Sequence, residues 1–157
     1  MAEQADIYET GISVGYYEWR SKAGHIIEHQ IGDAGWRSIL AEIEEVSCQL
    51  FDKVLAEEGL SQISLSICWT NDAHIAALND TFRGKSNPTN ILSFLADDYD
   101  SQKGEANAIG DIAVALETVL REAEESHAEM SHHVIHLLIH GMLHLLGYDH
   151  KNNEDTE

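Results

Sequence analysis

His140-Gly-Met-Leu-His144-Leu-Leu-Gly147-Tyr-Asp149-His150, near the C-terminus, is the stretch on which the interpretation of this chain depends. His140 and His144 are four residues apart, so on an α-helix they lie on one face, where two imidazoles can bind one tetrahedral metal ion. His150 would lie roughly 15 Å from His140 on a continuous helix, so it reaches the same ion only if Gly147 ends the helix and the chain turns back. Three neutral nitrogen ligands leave a fourth position open to water, which predicts one catalytic zinc ion per chain.

An ordinary amphipathic helix with buried or surface histidines is the alternative to this metal site. The spacing HxxxHxxGxxH is also that of the metzincin proteases, but Gly141 stands where those enzymes have the glutamate that acts as general base. Its absence argues against a protease. Asp149 is a candidate to orient a ligand imidazole, and it is equally compatible with a simple turn.

The predicted helix carries a longer stripe of histidines than the metal site requires. His132, His136, His140 and His144 are spaced by four residues, so all four lie on one face. The two extra histidines could hold a second metal, donate hydrogen bonds to the ligands, or form the polar wall of a cleft.

Arg83 and Lys85 are the other candidates for chemistry, because they are close neighbours in a chain with only 9 basic residues. The planar guanidinium of arginine matches a phosphate group and stabilises the charge that develops on it during reaction. The alternative is that both are solvated charges of a surface loop.

The hydrophobic pattern of the remaining chain predicts a mixture of strands and helices. Strands are expected over residues 12–19, 63–69, 91–94 and 109–114, and helices over 36–55, from 71 or 72, over 116–126 and over 129–146. Residues 20–32 and the acidic residues 96–108 are predicted to be loops, and Asp33 is the expected cap of the first helix. This order predicts a single α+β (α/β mixed) domain over residues 1–157, in which a small sheet packs with about five helices.

Composition limits the class of protein. A net charge of −19 repels nucleic acid, so RNA binding would require a locally basic groove or a divalent cation. The first ten residues lack the apolar core of a signal peptide, and no apolar run has transmembrane length. Cys48 and Cys68 lie in apolar segments and are expected to be reduced core residues, which together with the other features predicts a cytoplasmic protein without a membrane partner.

Three blocks of sequence resemble the YbeY family (UPF0054) of zinc-dependent endoribonucleases, which act in ribosomal RNA maturation. The blocks are Leu78 to Phe94 (LNDTFRGKSNPTNILSF), Ile109 to Ile112 (IGDI) and His136 to His150 (HLLIHGMLHLLGYDH). The resemblance implies that His140, His144 and His150 are the metal ligands and that Arg83 is the catalytic arginine. It also implies a small mixed sheet packed with helices around the metal cleft.

Two positions depart from the family pattern. Leu95 follows the LSF motif where proline is common, so the exit of that strand is expected to differ. Members usually continue past the last histidine into an acidic C-terminal helix, of which residues 152–157 would be only the beginning. The family's C-terminal helix is therefore expected to be truncated here, which would loosen the side of the site formed by His150.

The function implied by the resemblance is cleavage of single-stranded RNA in ribosomal RNA processing and ribosome quality control, with a ribosomal subunit or assembly proteins as partners. Zinc would activate water or polarise the phosphate, and Arg83 would bind the phosphate. His136 is the candidate general base. Alternatively, the RNA 2′-hydroxyl rather than water is the nucleophile. Two other classes remain open: a zinc hydrolase of another bond, such as a metalloprotease, and a non-catalytic ribosome-assembly protein with structural zinc. The residues do not specify the oligomeric state or exclude nickel or iron.

Overall fold

A five-stranded sheet organises the part of the chain that the computed structural model describes, residues 15–96 and 107–147. Its strands are β1 (Gly15–Arg20), β2 (Ile26–Ile31), β3 (Ile63–Thr70), β4 (Ile91–Leu95) and β5 (Asn107–Ala115). They lie in the order β1-β2-β3-β5-β4. The outer pairs β1–β2 and β4–β5 are antiparallel, and the inner pairs β2–β3 and β3–β5 are parallel. The prediction of a small mixed sheet is therefore confirmed.

Four α-helices and one short 3₁₀ helix complete the described structure, which agrees with the prediction of an α+β fold with about five helices. The 3₁₀ helix covers Ala34–Trp36, and the α-helices are α1 (Arg37–Glu57), α2 (Asp72–Arg83), α3 (Leu116–Glu125) and α4 (Met130–Leu145). The side chain of Asp33 accepts a hydrogen bond from the backbone N–H of Gly35 at 2.9 Å, so this residue is a cap as expected, although it caps the 3₁₀ turn before α1. None of the helices in the described ranges is both long enough and apolar enough to cross a membrane.

The prediction that residues 20–32 form a loop is wrong, because Ile26–Ile31 forms β2. Ile27, His29 and Ile31 alternate as buried residues along this strand, but a polar histidine in the middle hides the alternation from a hydrophobicity pattern. His29 accepts a hydrogen bond from Nε1 of Trp69 at 2.9 Å, and its ring lies 4.0 Å from that of Trp19. Burial lowers the pKa of His29 to about 3, so the neutral imidazole packs as an aromatic core residue.

Helices cover both faces of the sheet. The larger core cluster joins α1 and α4 to one face of the strands and includes Leu40, Phe51, Ile67, Ile112, Val134 and Leu138. A smaller cluster joins α2 to the strands through Ile75, Leu78, Leu92 and Ala113. The histidine helix α4 is thus fixed on one side of the sheet, and the C-terminal end of α2 is fixed beside β4 by its own apolar contacts.

Two strand boundaries differ from the sequence-based expectation. The first strand was predicted over 12–19; it covers Gly15–Arg20, and residues 12–14 lie outside the described residues. The predicted loop 96–108 lies mostly in the undescribed range 97–106, and β5 begins at residue 107. Between Ala108 and Asp111, β5 has one more residue than β3 opposite, which is the signature of a β-bulge.

Gly110 lies in this bulge and is required by the packing around it. A Cβ atom there would collide with the carbonyl oxygen of Phe94 in β4 and would come within 2.9 Å of Cδ2 of Leu145 in α4. The absence of a side chain therefore lets β4, β5 and the end of the histidine helix approach one another.

Cys48 and Cys68 are both free thiols that pack against the core, as expected. Burial, with nearby Glu44 and Asp52, raises the pKa of Cys48 to about 11. Burial and the charge of Asp111 raise the pKa of Cys68 to about 12. The raised pKa values disfavour the thiolate form near neutral pH, which argues against a nucleophilic role for either residue.

A candidate active-site cleft

A cleft of about 610 Å³ lies between the end of α2, the connection that follows it, strand β4 and the face of α4. From the first part of the chain it is lined by Asn79, Arg83, Lys85, Asn87, Pro88, Thr89, Asn90, Ile91, Leu92 and Ser93, and from α4 by His136, Leu137, His140, Gly141 and His144. The sequence-predicted site residues Arg83, His136, His140 and His144 therefore share one cavity, although Arg83 comes from a different part of the chain.

The histidine stripe on α4 forms one wall of the cleft. His136 and His140 are exposed and their rings stack with centroids 6.5 Å apart, and His144, one turn further, is half-buried. His132, the first member of the stripe, does not line the cleft; its Nε2 lies 3.5 Å from a carboxylate oxygen of Glu129. Helix α4 thus places three of its four stripe histidines on the cleft, where they form a polar wall.

The described residues contain two of the three predicted metal ligands, His140 and His144. The third, His150, and the neighbouring Asp149 lie outside the described residues. Within the described ranges, no three histidine, cysteine or acidic side chains are grouped closely enough to hold a metal ion. The donor chemistry of the two described imidazoles fits zinc, since they lie one helical turn apart and both line the cleft.

Gly141, which stands where the metzincins have glutamate, lies at a close contact between α4 and the sheet. A Cβ at this position would lie 3.2 Å from Cδ1 of both Ile112 and Ile91 and 3.4 Å from Oγ of Ser93. These separations are shorter than ordinary carbon contacts of about 3.5–4.0 Å. Because α4 packs this closely on β4 and β5, a side chain at 141 requires the ends of Ile91 and Ile112 to shift by a few tenths of an ångström.

Arg83 is the last residue of α2, and Gly84 ends the helix in the left-handed conformation at a φ of +72°. The guanidinium donates a hydrogen bond through Nη2 to the carbonyl oxygen of Ser93 at 3.0 Å, and its Cζ lies 5.7 Å from the ring centroid of Phe94. These two contacts hold an otherwise exposed side chain against the edge strand β4, in the same cleft as the histidines. Arginine has five N–H donors, so one bond to Ser93 leaves others available to a ligand.

The connection between α2 and β4 is held by side-chain amides. Nδ2 of Asn79, a buried residue of α2, donates to the carbonyl oxygen of Asn87 at 2.8 Å. Oγ of Ser86 donates to the carboxylate of Asp80 at 3.2 Å. Both bonds tie the connection back to the helix, which positions Lys85 and Asn90 on the cleft.

Asn90 is a cleft residue that the sequence analysis did not single out as a candidate site residue. Its side chain bonds to Glu122 in α3, 32 residues away, and spacing within a sequence gives no signal of such a contact.

The electrostatics of the cleft differ from those of the whole chain. The protein has a net charge of −19, yet the described lining residues include the cations Arg83 and Lys85 and no aspartate or glutamate. The cleft is therefore locally basic, which is one of the two conditions named for RNA binding in the sequence analysis. An anionic ligand would be repelled by most of the surface and accepted here.

Comparison with known proteins agrees with the family resemblance found in the sequence. A model of the family Endoribonuclease YbeY matches residues 30–157. Proteins named Endoribonuclease YbeY from Chelativorans sp. (strain BNC1) and Bradyrhizobium diazoefficiens are 48% and 43% identical to this chain over 100 and 104 residues. Each alignment covers 64% of this chain but 61% and 57% of the relative, so the chain spans about three fifths of the length of these curated relatives.

A solved structure supports the same fold. The solution structure of TM1509 from Thermotoga maritima matches with a TM-score of 0.53 and 25% sequence identity. The match covers 79% of this chain and 74% of that chain.

Proposed function

The chain belongs to the Endoribonuclease YbeY family, and from that premise we propose that it is a metal-dependent endoribonuclease that cleaves single-stranded RNA in ribosomal RNA maturation. The observation that carries the proposal is that Arg83, His136, His140 and His144 line one cleft. A phosphate-binding cation and metal-binding imidazoles in one cleft are suited to hydrolysis of a phosphodiester. Its place in ribosome quality control, its ribosomal or assembly partners and its cytoplasmic location belong to the same proposal.

We propose that His140, His144 and His150 hold one zinc ion per chain. His140 and His144 are supported by their shared face of α4 and their position on the cleft, and His150 is supported by the sequence pattern. When bound, zinc supplies a water of lowered pKa, a polarised phosphate oxygen, or both. The open side of the cleft gives RNA access to these side chains.

Arg83 binds and orients the scissile phosphate in this proposal. Its bond to Ser93 and its contact with the ring of Phe94 restrict the guanidinium before substrate arrives, so less side-chain entropy is lost on binding. The N–H groups not used by Ser93 then stabilise the negative charge that develops on the phosphate oxygens. Lys85 contributes attraction as a point charge at the same rim.

His136 is the proposed proton acceptor. It is exposed on the cleft and its ring lies 6.5 Å from that of His140, close enough for both to face one phosphodiester. If His136 deprotonates water, cleavage leaves a linear phosphate end. If it deprotonates the 2′-hydroxyl of the RNA, the product is a cyclic phosphate, and end-group analysis distinguishes the two routes.

The test combines metal analysis with cleavage assays on one preparation. Single-stranded RNA, casein and double-stranded RNA are offered to the protein with and without a chelator, and zinc is measured per chain. The proposal expects about one zinc per chain and chelator-sensitive cleavage of single-stranded RNA alone. Cleavage of casein would instead indicate a zinc peptidase, and bound zinc without any cleavage would indicate a structural ion.

A further inference from the structure

The side-chain amide of Asn90 is held in one orientation by a carboxylate. Its Nδ2 lies 3.2 Å from both carboxylate oxygens of Glu122. An amide can normally be turned over without changing its shape. Because a carboxylate only accepts hydrogen bonds, Asn90 must turn its NH₂ group to Glu122 and its Oδ1 atom away from it.

Glu122 is itself fixed by the histidine helix. Nε2 of His133 in α4 lies 2.9 Å from Oε1 of Glu122, and the two side chains are 19% and 36% exposed. The carboxylate again acts as the acceptor, so Nε2 of His133 carries a proton. The backbone of Asn90 is also anchored, because its carbonyl oxygen accepts from the N–H of Ala115 at 3.0 Å.

We propose that Asn90 is a substrate-binding residue whose Oδ1 accepts a hydrogen bond from the RNA, and that Glu122 is the positioning residue that keeps this oxygen available. The inference rests on the proposed function. Asn90 lines the cleft beside Arg83 and Lys85, and a nucleotide whose phosphate is bound there brings two kinds of donor with it: the ribose 2′-hydroxyl and the N–H groups of the base. An acceptor at this position adds selectivity to a site whose cations recognise only phosphate.

Glu122→Gln separates this role from simple electrostatics, because the two explanations predict opposite changes in RNA affinity. Removing one negative charge beside an anion-binding cleft strengthens RNA binding if charge alone matters. Glutamine, however, both donates and accepts, so the amide of Asn90 loses its enforced orientation and presents Oδ1 to the cleft for only part of the time. The proposal therefore expects weaker binding.

The measurement is fluorescence anisotropy on the metal-loaded protein with a short single-stranded oligouridylate and its 2′-deoxy counterpart, read before gel electrophoresis detects any cleavage. Asn90→Ala and Glu122→Gln are each expected to weaken oligouridylate binding by roughly two- to tenfold, the size of one net hydrogen bond. The double variant should bind no more weakly than Asn90→Ala, because Glu122 acts through Asn90. Glu125→Gln is the matched control, since it removes the same charge from an exposed position of α3; it should bind as tightly as wild type or slightly tighter.

The outcomes divide cleanly. A loss confined to oligouridylate identifies the 2′-hydroxyl as the donor, and an equal loss with the deoxy oligonucleotide identifies the base; both support the proposal. Glu122→Gln that binds like Glu125→Gln, or a double variant whose losses add, overturns it. Asn90→Ala leaves the contact between Glu122 and His133 intact, so it remains informative if Glu122→Gln unfolds. Wild-type protein that neither binds these oligonucleotides nor cleaves RNA would contradict the proposed function instead.

Discussion

Replacing Gly141 with glutamate restores the metzincin motif and tests how closely α4 packs on the sheet. The Cβ alone would lie 3.2 Å from Cδ1 of Ile91 and of Ile112, and overpacking of this kind costs about 1–3 kcal/mol. A carboxylate forced against the core without a partner adds a further 1–3 kcal/mol or so. The better helix propensity of glutamate over glycine returns only about 0.5–1 kcal/mol. With each term near the middle of its range, the free energy of unfolding should therefore fall by about 2–4 kcal/mol.

Thermal unfolding followed by circular dichroism measures this loss. In a chain of this size each kcal/mol corresponds to about 2–4 °C in Tm, so Gly141→Glu should lower the Tm by roughly 4–16 °C, and Gly141→Ala by less because only the Cβ is added. His132→Glu is the control, since it places the same side chain at an exposed position of the same helix, and its Tm should change little. A Gly141→Glu protein as stable as wild type would show that the short distance between helix and sheet does not exclude a side chain. Acquired cleavage of casein would show that the missing glutamate alone separates this site from a peptidase.

Four further results are expected. His144→Ala should lose stoichiometric zinc in elemental analysis, and full retention would remove it from the ligand set. Arg83→Ala should keep its fold and metal but lose RNA cleavage by at least about a hundredfold, whereas unchanged cleavage would make it a solvated charge. Gly110→Ala should lower the free energy of unfolding by about 2–4 kcal/mol, against about 1 kcal/mol for Gly59→Ala, whose Cβ meets nothing within 4 Å. Burial depresses the pKa of His29 from 6.5 to about 3. The contribution of the neutral ring to stability is therefore complete above pH 6.5 and is lost as the pH falls, by up to about 1.4 kcal/mol per pH unit. In His29→Leu, the free energy of unfolding measured with denaturant should depend less steeply on pH by that amount.

The histidine helix was the easiest part of the site to predict. Ligand spacing of four residues depends only on the geometry of one helix, so His140 and His144 could be placed on a shared face without any tertiary information. Their meeting with Arg83 could not be obtained in this way, because it depends on how β4 and β5 pair and how α4 packs across them. For that residue the resemblance to a family supplied what spacing could not.

The sequence analysis missed residues whose environment is unusual for their chemical type. His29 is polar by type but occupies a core position as a neutral ring, so the strand that carries it was predicted as a loop. Asn90 and Glu122 are ordinary surface types whose contact links two distant segments. A hydrophobicity pattern reports the usual environment of a residue type. These residues are exceptions because each has a specific partner: Trp69 for Nδ1 of His29, and Asn90 and Glu122 for one another.

For the proposed function, the charge distribution determines how the cleft would bind RNA. Proteins that bind nucleic acid through long-range attraction neutralise many phosphates, and each phosphate contact contributes about −0.7 to the salt slope for single strands. Here the described lining offers two cations, Arg83 and Lys85, within a chain of net charge −19. At long range the protein therefore repels RNA, except at the cleft. Affinity must then come from short-range contacts that are few and well oriented. We therefore expect the guanidinium fixed by Ser93 and the amide fixed by Glu122 each to have a measurable effect on RNA affinity. Without strong long-range attraction, the loss of one hydrogen bond is a large part of the total binding free energy.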